Sequence, residues 1–322
     1  MLRILFVKTS SLGDVVHQCP ALSDVARHIR DAQIDWVVEE SFAAVAEMHR
    51  NVRHVIPVAV RRWRKALWRP SVWKEITAFR RRIAAERYDI VIDSQGLLKS
   101  ALLSVLAHGE RHGLDALSAR EPIAARFYDV THAVRPELHP VERNRILAAA
   151  ALHYAPGGPF KYGLVSSGAR PLALNAPYAV LLSMTSRREK LWPIGHWIEL
   201  AGALGRRGLR VVLPHGAESE RLRSQQIADS NPAALVPPFM PIADVARLMR
   251  GACGVVGLDT GLLHLAAGLG VPAVGVYSGT DPARFGLYAS PQSSARARNV
   301  GSRESLPSAH QVLGAFEEIA LA

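Results

Sequence analysis

The chain has 322 residues, 49% of them hydrophobic, with 24 Gly and 20 Pro, which fits about two soluble globular domains and excludes a disordered or fibrous protein. It holds no run of about 18 apolar residues, so no membrane-spanning helix is expected, and Met1-Leu2-Arg3 passes at once into an apolar strand, so secretion through a cleaved leader is not expected. The formal net charge of +11 points to an anionic partner, whether nucleic acid, lipid headgroups or a phosphorylated substrate.

Arg3–Lys8 reads as a short buried strand, and Val15–Ile29 has helical spacing of apolar residues. Further strands are expected at Ile34–Val38, His54–Val60 and Asp89–Asp93, separated by helical patterns at Phe42–His49, Val72–Arg87 and Leu97–His108. This βαβ rhythm predicts a parallel sheet with helices on both faces. Most of the positive charge lies in one stretch. From Arg61 to Arg87 there are ten basic and two acidic residues, a net +8, with Trp63, Trp68 and Trp73 among them. Basic and aromatic side chains together suit an anionic headgroup surface, although for Arg80-Arg81-Arg82 the plainer reading is a solvated helix face. Residues Pro156 to Pro177, rich in Gly, Ser and Pro, read as a linker.

A second series then begins. Strands are expected at Tyr178–Met184, Arg210–Leu213, Ala234–Val236, Gly254–Leu258 and Ala273–Tyr277, with helices at Ile194–Arg207, Glu218–Asp229, Ile242–Arg250 and Leu262–Leu269. Ala309–Leu321 closes the chain as an amphipathic helix. The expected fold is α/β, with two Rossmann-like, doubly wound parallel-sheet domains facing across a cleft. They cover residues 1–165 and 166–322, the last helix being a candidate to pack back on the first domain. Ligands of such sheets bind at the carboxyl ends of the strands. Cys19 and Cys253 stand far apart and are expected to be reduced thiols in a cytoplasmic protein.

Three segments at strand ends could carry chemistry. Lys8-Thr9-Ser10-Ser11-Leu12-Gly13-Asp14 offers small hydroxyl residues and a carboxylate where a helix starts. It has too few glycines for a dinucleotide fingerprint. Asp14 reads either as a helix cap or as a general base, since a helix N-terminus favours the charged carboxylate that a base requires. Thr185 to Pro193 combines hydroxyls with cations, and reads either as a solvated basic loop or as an anion site. Asp259-Thr260-Gly261-Leu262-Leu263-His264 again sits where a strand gives way to a helix. The first-turn N–H groups there could hold a diphosphate, with Gly261 allowing close approach. Asp259 beside a phosphate looks unfavourable, and is expected to fix its loop by accepting backbone hydrogen bonds. No Asp-x-Asp pair and no metal-ligand spacing occurs, so neither metal nor cofactor is expected.

These three segments, in this order and collinear over nearly the whole chain, resemble the bacterial lipopolysaccharide heptosyltransferases of glycosyltransferase family 9. The Lys-Thr-Ser-Ser start favours the branch that adds the first heptose over the one that adds the second. The resemblance implies a GT-B fold and inversion at the anomeric carbon. The implied donor is ADP-L-glycero-β-D-manno-heptose, and the implied acceptor is Kdo2-lipid A at the cytoplasmic face of the inner membrane. It implies Asp14 as the base and Lys190, with Thr185 and Ser186, as the diphosphate site. Asp259, Thr260, Gly261 and His264 would line the phosphates and heptose, Glu218 would bind the ribose, and Met240 would lie beside the adenine. For the acceptor it implies Ser11, Gly13, Arg61, Arg62, Arg64, Gln95, Lys99 and Arg120. The alternatives are a second heptosyltransferase, a sugar-nucleotide epimerase of similar build, or a basic nucleic-acid module. No nucleic-acid motif supports the last, and no nucleic-acid partner is expected.

Overall fold

The computed structural model describes residues 1–185, 187–288 and 296–321. Contacts divide the chain between Leu164 and Val165 into two units. The first contains a six-stranded sheet of β1 (Arg3–Val7), β2 (Gln33–Glu39), β3 (Val52–Val58), β4 (Arg87–Asp93), β5 (His108–Leu114) and β6 (Val130–His132). Its order is β3-β2-β1-β4-β5-β6, parallel throughout. The helices are α1 (Leu12–His28), α2 (Ala43–Ala46), α3 (Val60–Trp63), α4 (Pro70–Ala84), α5 (Leu98–Ser104) and α6 (Pro140–Leu152).

β1 is central, with Ile4 in register with Ile34 on one side and Ile90 on the other. A strand covered on both faces needs apolar residues at every position, not at alternate ones, and Ile4 to Val7 are all fully buried. Leu5 and Val7 pack with Val72, Phe79 and Ile83 of α4. Alternation turns Ile4 and Phe6 to the opposite face, where α1 and α6 pack together.

The second unit repeats this plan. Its strands are β7 (Tyr178–Leu182), β8 (Arg210–Val212), β9 (Ala234–Leu235), β10 (Gly254–Leu258), β11 (Ala273–Val276) and β12 (Ala297–Val300). Its helices are α7 (Ile194–Arg206), α8 (Glu218–Ala228), α9 (Ile242–Arg250), α10 (Gly261–Gly268), α11 (Pro282–Phe285) and α12 (Ala309–Ala320). The sheet order β12-β11-β10-β7-β8-β9 is the same winding read from the other edge. Trp192 and Trp197, both fully buried with rings edge to face at 5.0 Å, lie in its core. The last helix puts Val312, Leu313, Phe316 and Ile319 into the core of the second unit.

Six of these elements escape the sequence reading: β5, β6, α6, β12 and the one-turn helices α3 and α11. The helix expected over Leu97–His108 ends at Ser104, and His108 already begins β5. The expected linker contains no strand or helix of its own, yet Phe160 and Tyr162 within it are buried.

In each sheet the winding reverses next to the first strand of the unit, between β1 and β4 and between β7 and β10. Loops leaving neighbouring strands at such a point diverge to opposite faces and open a crevice for ligands.

Candidate active site

In the first unit the loops after β1 and β4 interlock. Gln95, 3% exposed, accepts the N–H groups of Thr9 (3.0 Å) and Ser10 (3.1 Å) on Oε1, and its Nε2 donates to the Ser10 carbonyl at 2.6 Å. Gln95 is therefore committed to shaping the 8–11 loop. Asp93 supports the other side. It is fully buried and accepts from the Gln95 N–H at 2.8 Å and the Tyr128 hydroxyl at 2.8 Å. Burial raises its carboxyl, against those hydrogen bonds.

Asp14 lies half-buried in the first turn of α1, and its carboxylate accepts the backbone N–H of Ser11, the N-cap residue. The capping role weighed for Asp14 is thus present, and it aims one carboxylate oxygen at the loop. Ser11 is exposed and Gly13 half-buried. Lys99 donates to the Ser10 hydroxyl at 3.1 Å. Burial lowers its ammonium, and the nearby charges of Arg61 and Arg64 add to that. Arg120 is exposed on the loop before the short 3-10 turn Pro122–Phe127.

The basic arm follows β3. Arg62 is held by Glu40, with Nε and one terminal nitrogen each at 3.0 Å, and also by Glu75 at 2.8 Å. Its side chain is thus held by two carboxylates within the chain. Arg61 and Arg64 are exposed and form no ion pair among the described residues. Arg61 stacks its guanidinium 5.3 Å from the Phe42 ring centroid, and its N–H donates to Glu39 at 3.0 Å.

In the second unit the loops after β7, β10 and β11 meet. Lys190 Nζ donates to Asp259 Oδ2 at 2.6 Å, and Thr280 Oγ1 donates to the same oxygen at 2.9 Å. His264 Nε2 lies 3.6 Å from Asp259 Oδ1. Burial pushes the Asp259 carboxyl up, but hydrogen bonds from His264 and Lys190 and their charge overcome it and hold the group well below the usual carboxylate range. Among the described residues Asp259 is held by side chains, not by the backbone donors expected for it. Ser278 Oγ donates to the Lys190 carbonyl at 3.0 Å. Thr260 is the N-cap of α10, with Gly261 as its first residue, and its hydroxyl is buried without a hydrogen-bond partner among the described residues. That leaves a helix N-terminus, an unsatisfied hydroxyl and a lysine together, a fitting cradle for phosphate oxygens.

Thr185 and Met240 are half-buried. Glu218 is exposed and paired with Arg221 through two bonds of 2.7 and 2.8 Å. Ser186 lies outside the described residues. Among the described residues no group of three or more His, Cys, Asp or Glu side chains could hold a metal ion, and no helix is long and apolar enough to cross a membrane. Both cysteines are free, Cys19 buried and Cys253 partly so.

Residues 76–311 match the family model described as glycosyltransferase family 9 (heptosyltransferase). The chain belongs to glycosyltransferase family 9. Its relatives include lipopolysaccharide heptosyltransferase 1 of Escherichia coli, 46% identical over 92% of this chain and 94% of that protein. The Salmonella typhimurium protein of the same name is 46% identical over 89% of this chain and 92% of its own length. Among solved structures, E. coli heptosyltransferase WaaC with ADP superimposes with a TM-score of 0.91 at 43% identity, covering 99% of this chain and 100% of that one. The fold is thus the GT-B-like fold of the family 9 enzymes, as the resemblance implies.

Within this family 9 chain, sequence reading found Lys190, Asp259, Thr260 and His264 but not Thr280 or Ser278. Both sit in the loop after β11, a hydroxyl-bearing strand exit of the same kind as the other two. That shared pattern was the available signal. In the first unit Lys8 opens the first of the three segments without a role legible in the sequence, and Asn144 carries no signal there, since only the packing of α6 brings it to the site.

Proposed function

We propose that this protein is an inverting heptosyltransferase, moving L-glycero-D-manno-heptose from ADP-heptose to the Kdo of Kdo2-lipid A in lipopolysaccharide inner-core synthesis. The observation that carries this reading is the likeness along the whole chain to an E. coli heptosyltransferase bound to ADP. The loops of the first unit would take the acceptor, and those of the second the donor.

On this reading Asp14 takes the proton of the acceptor hydroxyl as its oxygen bonds to the anomeric carbon. The bond from that carbon to the diphosphate breaks on the opposite face, so configuration inverts and ADP departs. Lys190 and the N-terminus of α10 offset the charge growing on the diphosphate. Lys190 would leave Asp259 to do so, or bridge both. Glu218 would turn from Arg221 to the ribose.

The deciding measurement is one transfer assay with ADP-heptose and Kdo2-lipid A, the product linkage read by NMR. A single new inverted heptose–Kdo linkage is expected. Release of heptose products without acceptor, or transfer only to an acceptor that already carries heptose, would overturn the assignment. Positive side chains and a helix end replace a divalent ion in this scheme, so chelation with EDTA should leave turnover unchanged. A chelator-sensitive rate restored by magnesium would refute that part.

The protein would work at the cytoplasmic face of the inner membrane, held peripherally. Support comes from the basic arm, where Leu67, Trp68 and Trp73 are 46%, 74% and 55% exposed among cations. Aromatic rings beside lysine and arginine suit an anionic interface. Sedimentation with anionic vesicles should fall steeply with salt and weaken in Trp68→Ala. Salt-independent or absent binding would remove the membrane role.

A further inference from the structure

Lys8 buries an ammonium at the exit of the most central strand of the first unit. It follows β1 directly and is 6% exposed. Its backbone belongs to the sheet: its N–H donates to the Val37 carbonyl at 3.2 Å, and its carbonyl accepts the Trp36 indole N–H at 3.2 Å. The side chain then reaches two other elements. Nζ donates to the Ser94 carbonyl beyond β4 at 2.6 Å and to Asn144 Oδ1 on α6 at 3.3 Å. Asn144 in turn donates to the carbonyl of His17 at 3.0 Å, one turn along α1 from Asp14. One cation thus ties the ends of β1 and β4 to α6, and through α6 to the helix that carries Asp14. An ammonium has three N–H donors. Two find acceptors among the described residues, and the third has none there.

Charges face this ammonium from every side: Asp14 on α1, Asp93 on β4, Arg143 on α6 and Arg120 on the loop after β5. His17 of α1 and His139, the N-cap of α6, meet edge to face at 5.2 Å nearby. A methionine would fill the same volume without the desolvation cost. A buried charge kept beside a prospective base, with a donor to spare, is the pattern of a working group.

We propose that Lys8 is part of the acceptor site: its ammonium fixes the Asp14-bearing turn and gives its third N–H to an anionic oxygen of the acceptor. This rests on the reading of Asp14 as base and of the acceptor as an anionic saccharide. Burial lowers Lys8 to about 8, against the pull of Asp14 and Asp93. The charged form is the competent one, so acceptor kcat/KM should fall as pH rises through about 8, by about tenfold per pH unit beyond it. ADP affinity, a property of the second unit, should not follow.

The test compares pH profiles of kcat and acceptor KM for the wild type, Lys8→Met and Asn144→Asp, with ADP affinity measured in parallel. Asn144→Asp puts a negative charge against the ammonium and should move the alkaline limb up by at least about one pH unit. Lys8→Met should lose at least about tenfold in acceptor kcat/KM at neutral pH and show no limb near about pH 8, with ADP binding intact. A limb that stays in place in Asn144→Asp, or wild-type values in Lys8→Met, overturns the assignment. If Lys8→Met does not fold, Asn144→Asp decides alone. A wild type that transfers no heptose removes the functional reading and this assignment with it. A wild type that transfers heptose, with a limb indifferent to both changes, removes only the role of Lys8.

Discussion

Asp14 caps its own helix through the Ser11 N–H, and this makes asparagine the informative replacement. An amide oxygen still accepts that hydrogen bond, so Asp14→Asn should keep the loop and ADP binding while turnover drops by at least about 100-fold, the low end for a lost general base. Near-normal turnover would take the base role from Asp14. Lys190→Ala should weaken ADP binding by about 10-fold or more, as expected for a lost charge-assisted bond. An unchanged dissociation constant counts against the diphosphate site. Lys8 also makes a prediction about stability. Burial depresses its ammonium to about 8 when folded, from the ordinary lysine value of 10.5. Between those values the unfolded chain holds a proton that the folded chain has released, so stability rises with pH across that window. Below it, the charged form costs roughly 3 kcal/mol. Urea unfolding from about pH 7.5 to about pH 9.5 should show the wild type gaining about 2 kcal/mol more than Lys8→Met. Equal gains would mean that Lys8 is solvated.

At the level of elements, α12 shows a helix whose place follows from its capping and its apolar stripe. Ser308 and Gln311 form a reciprocal capping box at its N-terminus, and Phe316 is fully buried against the second sheet. Phe316→Ala should cost about 3–5 kcal/mol, read by urea unfolding. A loss below about 1 kcal/mol would mean that the helix is not part of that core. By contrast, the Arg62–Glu40–Glu75 cluster is exposed, and such pairs contribute little to stability. Its use is to hold the basic arm in place. The central strands were legible in the sequence because burial on both faces leaves unbroken apolar runs, as in Ile4 to Val7. β5 was not, because His108-Gly109-Glu110-Arg111-His112-Gly113-Leu114 is polar, and only its last three residues are buried. β12, an edge strand of Ala297-Arg298-Asn299-Val300, carries no apolar signal. α6 hid behind its alanines, Ala148 to Ala151, which show no periodicity. The loops that bear Asp14, Lys190 and Asp259 were readable because polar groups cluster where strands stop. Of the partners that lock them, Gln95 after β4 came only from the resemblance and as an acceptor contact, and Thr280 after β11 not at all, because strand order, not sequence distance, brings them in.

Across the whole molecule the two units share one winding, and hydrogen exchange can tell which half takes the nucleotide. Added ADP should slow exchange in residues 187–193, 259–264 and 278–280, and leave residues 8–14 unprotected. The reverse pattern would swap the donor and acceptor assignments. The shared winding also separates scaffold from chemistry. Every group that would handle the sugar nucleotide lies off the strands, on connecting segments or in the first turns of α8 and α10, while the ladders beneath use backbone atoms common to all residues. Grafting those segments from a relative with a different sugar nucleotide leaves each ladder intact, so donor preference becomes an exchangeable cassette on an unchanged frame.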